Sequence, residues 1–104
     1  MTKIITTALL DEVHYPIKKG FVENKLIARE LSGNEEFNSD VSKSIPFRGA
    51  VADCLVGLVL SPNVSEGDIS FSQTDKDNML RIANAIYQSI GEPTVGEPKV
   101  FIEN

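Results

Sequence analysis

The sequence contains no tryptophan, one cysteine and one histidine in 104 residues. A single cysteine excludes a disulfide within the chain, and with only one histidine beside it most Cys- or His-rich metal sites are excluded too. No run approaches the roughly 20 apolar residues of a membrane-spanning helix. The opening stretch, Thr2 to Asp11, is apolar but broken by threonines, and it lacks a small-residue cleavage site, so it does not read as a signal peptide. A reducing cytoplasm is the expected setting. Positive charge is also short: Lys plus Arg number 10 against 15 Asp plus Glu, a formal net charge of −5. Lys18-Lys19 is the only adjacent cationic pair. Nucleic-acid affinity comes largely from counterion release at phosphates, which needs a basic patch that this pattern lacks. Glycine-rich phosphate loops are missing as well, since Gly91 and Gly96 follow a helical segment and not a strand.

What is present suits one small helical domain. A hydrophobic fraction of 41% and a charged fraction of 24% are those of a globular chain with one core. Apolar spacing predicts a mainly α fold, a small bundle of about four helices. The first covers about Thr2 to His14, with Ile5, Ala8, Leu9 and Val13 on one face, and stops at Tyr15-Pro16. The second runs from Gly20 to Leu31, with Val22, Leu26, Ile27 and Leu31 inward and Gly33 available for a left-handed cap. A polar stretch follows from Gly33 to Ile45, with a turn of helix at Asp40–Lys43 and Phe37 folding back onto the core. The third helix opens at Pro46 and carries Phe47, Ala50, Val51, Cys54, Leu55, Leu58 and Val59, widened by Val56 and Leu60. A helix this apolar is expected to be surrounded. The fourth runs from Asp75 to Ile90, capped by Thr74, with Met79, Ile82, Ala83, Ile86, Tyr87 and Ile90 inward and Gly91 at its end. Between the last two long helices, Ile69-Ser70-Phe71-Ser72 alternates with period two, which predicts a short extended loop or hairpin arm. The organisation expected is a helical domain over 1–91 and an extended tail over 92–104, the tail carrying two Glu-Pro pairs.

Residues that could carry chemistry are few. Cys54 with His14 is the one nucleophile–base pairing on offer. Cys54, however, sits in the middle of the most apolar stripe, where a thiol behaves as a small hydrophobe. His14 precedes Tyr15-Pro16 and reads as a helix end. Asp75-Lys76-Asp77-Asn78 resembles the start of a calcium loop, but Leu80 stands where such a loop needs glycine and Ile86 where it needs glutamate. No catalytic residue, metal ligand or cofactor site is therefore expected. Two contact features remain: Ile69 and Phe71 on the loop, and Val100, Phe101 and Ile102 in the tail. Apolar side chains on extended segments dock well on another subunit.

From Pro16 to Gly91 the chain resembles the head–tail connector (head-completion, or adaptor) proteins of tailed bacteriophages and prophages. The residues that carry the resemblance are the helix start Phe21-Val22-Glu23-Asn24, the apolar helix Ala50-Val51-Ala52-Asp53-Cys54-Leu55, the loop Ser65-Glu66-Gly67-Asp68-Ile69-Ser70-Phe71-Ser72 and the helix end Ala85-Ile86-Tyr87. It departs from the pattern in a longer acidic insert at Asn34 to Asp40 and in a tail that ends soon after the last helix. The resemblance implies a non-catalytic protein that assembles as a ring beneath the portal. Its loop and tail would reach neighbouring copies and portal or tail proteins, in the cytoplasm of a bacterial host and then in the virion. The alternative is a small bacterial protein-interaction or regulatory domain whose tail binds another partner.

Overall fold

A computed structural model of the protein describes residues 2–61, 65, 67 and 71–96. Within them lie five helices: α1 (Ile5–Val13), α2 (Lys19–Ala28), α3 (Ser39–Lys43), α4 (Ile45–Leu60) and α5 (Gln73–Ser89). The fold is the small all-α bundle that the apolar spacing predicts, and the turn at 40–43 is the short helix α3. Helix α4 is apolar on almost every side, and it packs against each of the other four. Phe47, Ala50, Ala52, Cys54, Leu55 and Leu58 are all buried around its circumference. Ile5, Leu9 and Val13 from α1, Val22 and Leu26 from α2, and Met79, Ala83 and Tyr87 from α5 complete the core. Each buried Leu, Ile, Phe or Met contributes roughly 1.5–3 kcal/mol over its exposed state. Phe37 folds back as expected, with its ring 5.0 Å from that of Phe47.

The helix starts differ from expectation by one to three residues. Ser44 accepts a hydrogen bond from the Phe47 amide, so α4 begins at Ile45 and Pro46 takes its second position. Ser72, not Thr74, caps α5 by accepting from the Asp75 amide. Helix α1 has no side-chain cap. Its first free amides, Ile5 and Thr6, donate instead to the carbonyls of Glu35 and Gly33, which gives the acidic insert a structural task. The insert also joins Ile4 and Glu36 in an isolated antiparallel bridge.

Helix ends correct the reading further. The left-handed cap of α2 falls on Glu30 (φ 63) and not on Gly33. Leu31 donates to the Leu26 carbonyl and Glu30 to that of Ile27, a full Schellman turn that ends the helix at Ala28. Gly33 is needed for a different reason: a Cβ there would fall on the Thr6 hydroxyl. At the end of α5 the glycine reading holds. Gly91 takes φ 80, and Glu92 donates to the Tyr87 carbonyl at 2.8 Å. His14 closes α1 in the left-handed region, donating to the Leu10 carbonyl. Three residues expected inward point out: Ile27 is 69% exposed, Leu60 68% and Ile82 46%.

Candidate functional site

Helices α2 and α4 meet along two rows with helical i, i+4, i+8 spacing. On α2 the row is Phe21, Lys25 and Arg29; on α4 it is Gly57, Asp53 and Gly49. A Cβ at Gly57 would fall on the Phe21 ring, and one at Gly49 on the Arg29 guanidinium. The glycines thus give room for two large side chains on either side of Asp53.

Arg29 is the hub of the arrangement. Its Nε and Nη2 donate to the two oxygens of Asp53 at 2.8 and 3.0 Å. Its Nη1 and Nη2 donate to the two oxygens of Glu92 at 2.6 and 2.9 Å. Tyr87 donates its hydroxyl to Asp53 Oδ1 at 2.6 Å. The planar guanidinium suits two bidentate carboxylates at once, which lysine could not match. Two Schellman turns deliver the outer members: Arg29 is the last residue before Glu30 reverses α2, and Glu92 follows directly on Gly91. The cluster ties α2, α4, α5 and the segment after it to one point.

Electrostatics within the cluster follow from these bonds. Hydrogen bonds to Asp53 and then to Glu92 hold the Arg29 guanidinium charged still more firmly than usual. Burial, followed by the bond to Asp53, raises the Tyr87 phenol and keeps it a donor. Glu92 is held below its ordinary range by the hydrogen bonds from Arg29. The donors and acceptors face one another, so the cluster works as a clamp. Burial pushes the Cys54 thiol up to about 12, with Asp53 next door adding to the effect. That thiol is fully buried.

A second clamp fixes the segment after α5. Buried Asn84 donates its side-chain amide to the Val95 carbonyl at 2.9 Å and accepts from the Val95 amide at 2.9 Å. Farther along, Gly96 lies against Leu80. Residues 92–96 therefore run back along α5, past Tyr87, Asn84 and Leu80 in turn.

Of the residues expected to make contacts, Phe71 is half-buried and packs against the core. Its ring meets that of Tyr15 edge-on, with centroids 5.7 Å apart and an interplanar angle of 89°. Ile69, Val100, Phe101 and Ile102 lie outside the described residues. Sequence reasoning missed the Arg29 hub altogether. The available signal was the matching four-residue spacing of Gly49, Asp53 and Gly57 with Phe21, Lys25 and Arg29. Among the described residues no group of three or more His, Cys, Asp and Glu is placed to hold a metal ion. No helix formed by them is long and apolar enough to cross a membrane. No curated protein and no solved structure matches the chain. Residues 2–104 match the family of unknown function DUF6706, and the protein belongs to that family.

Proposed function

We propose that this protein is a non-catalytic assembly protein that acts as a phage head–tail connector, joining copies of itself between portal and tail proteins. The observation that carries the reading is the double clamp on the segment after α5. Glu92 on Arg29 and Asn84 on Val95 fix its course as far as Gly96. Val100, Phe101 and Ile102 follow within six residues of that fixed point. An apolar triplet that follows so soon on a fixed segment is suited to reach a neighbouring subunit. Burying three such side chains would contribute roughly 1.5–3 kcal/mol each before ordering costs. A closed ring adds to this, because each copy then meets two neighbours. Phe71 serves differently, anchoring one end of the α4–α5 loop to Tyr15. The loop's own contact residue is Ile69. The protein is made in the bacterial cytoplasm and ends in the virion.

The test replaces Val100, Phe101 and Ile102 together by serine and measures co-sedimentation with a phage portal protein. The parent chain is expected to sediment with the portal and the variant, still folded by circular dichroism, to remain free. Equal binding by both would remove the tail from the interface.

A further inference from the structure

Beside the Arg29 cluster lies a groove of about 250 Å³ between α2, α4 and α5, lined by Phe21, Lys25, Val56, Gly57, Leu60 and Tyr87 among others. Leu60, the last residue of α4, is 68% exposed there and adds apolar surface to the groove. Lys25 Nζ lies 4.9 Å from the centroid of the Phe21 ring and forms no ion pair with a described residue. Asp53 also borders the groove, but Arg29 and Tyr87 occupy its oxygens. The groove therefore offers apolar surface and one cation with no carboxylate partner among the described residues. Its complement is a short apolar segment followed by a carboxylate.

The chain carries such a segment: Val100-Phe101-Ile102-Glu103. Its starting point is fixed on the right side of the bundle. The Tyr87–Asp53 bond sets α4 and α5 level at those residues, and the Glu92–Arg29 bond beside Gly49 shows that the two helices run antiparallel. Leu60 lies seven residues beyond Asp53, and Leu80 seven residues before Tyr87. At 1.5 Å per residue both lie about 10 Å along in the same direction, which brings Gly96 level with Leu60. Five residues from Gly96 to Phe101 span up to about 17 Å, more than the 8–10 Å between packed helix axes. Pro98 favours an extended path at Glu97.

We propose that Val100, Phe101 and Ile102 dock in this groove of their own chain, against Leu60, with Glu103 facing Lys25. The free protein then covers its own assembly segment. Contact with a partner releases it, a consequence that rests on the connector reading, whereas the docking does not.

Paired cysteines test it in the full chain. Leu60→Cys is combined in turn with Val100→Cys, Phe101→Cys and Ile102→Cys, and each pair is oxidised in dilute solution. Ile27→Cys replaces Leu60→Cys in a control set. Ile27 is equally exposed, but two residues past Lys25 it sits on the opposite side of α2. Both scaffold positions are solvent-facing, so the variants retain the parent's melting temperature under reducing conditions. At least one Leu60 pair is expected to close within the chain at tenfold higher yield than any Ile27 pair. Equal yields at the two positions overturn the docking. Disulfides formed chiefly between chains also overturn it, and place the tail on a second copy. Co-sedimentation with the portal is read separately, so the docking and the connector role fail independently.

Discussion

Gly49→Ala should destabilise the protein although it replaces glycine by alanine inside a helix. Taken alone, that exchange favours an α-helix by about 0.8–1.0 kcal/mol. The three atoms nearest a Cβ at position 49 all belong to the Arg29 guanidinium, and they lie too close for it to stay. Arg29 is flexible enough to move aside, but only by giving up its hydrogen bonds to Asp53 and Glu92. Exposed ion pairs contribute roughly 0–1 kcal/mol, and breaking a buried pair costs roughly 3–5. The side chains of Arg29 and Asp53 are 18% and 20% exposed, between those limits. A loss of about 2–3 kcal/mol follows, and the net effect of Gly49→Ala is a destabilisation of about 1–2 kcal/mol. At roughly 4–8 °C per kcal/mol for a domain near this size, the melting temperature should fall by about 4–16 °C. The sign should reverse in an Arg29→Ala background, where Gly49→Ala meets no guanidinium and its helix propensity alone remains. Urea denaturation of the four chains measures both steps. If Gly49→Ala stabilises the otherwise unchanged protein by about 1 kcal/mol, Arg29 is not held as described and the clamp argument fails.

Glu30→Gly should raise stability by about 1 kcal/mol, because Glu30 occupies the left-handed region where a Cβ is penalised; a lowered melting temperature would contradict the strain assigned to φ 63. Glu92→Gln should lower the melting temperature at pH 7. Because the folded protein holds Glu92 below its ordinary value of 4.5, its contribution is complete above that value and is lost as pH falls through the lower folded one. The parent–variant difference should therefore be constant above about pH 6 and shrink in acid, and a difference independent of pH would remove the Arg29–Glu92 bond from the stability of the fold. Cys54, buried with its thiol pushed up to about 12, should react with a disulfide reagent at pH 7.5 only as fast as the protein opens. Labelling at the rate of a free thiol would contradict its place in the core.

Much of the bundle was legible because the core writes its own period. Ile5, Leu9 and Val13 on α1, the stripe of α4, and Met79, Ala83 and Tyr87 on α5 all lie where a 3.6-residue repeat puts them. Exposed Ile27, Leu60 and Ile82 show the limit of that signal, since an apolar residue at the edge of a stripe is buried only if a neighbour covers it. Caps were legible in kind but not in place. Ser72 and Thr74 both make good N-caps, and the choice falls to the one whose hydroxyl meets an amide three residues on. Gly33 carried the sequence signal for the end of α2, yet the left-handed residue is Glu30, because the hydrophobic contact of a Schellman turn needs Leu31 beside Leu26. The Arg29 cluster was illegible for another reason. Arg29 and Asp53 are 24 residues apart, and Arg29 and Glu92 are 63. Local periodicity carries no information on such pairings, and only the two glycines flanking Asp53 hinted that something large must fit there.

We propose that this protein assembles with its own copies on a portal ring through its tail. Sedimentation velocity of the unmodified chain, alone and mixed with a phage portal protein, tests it most directly. The chain alone should sediment as a monomer at low concentration. With the portal present it should move in one faster boundary together with the portal. A chain that stays in its own slow boundary at every ratio, with the portal ring intact beside it, would contradict the account.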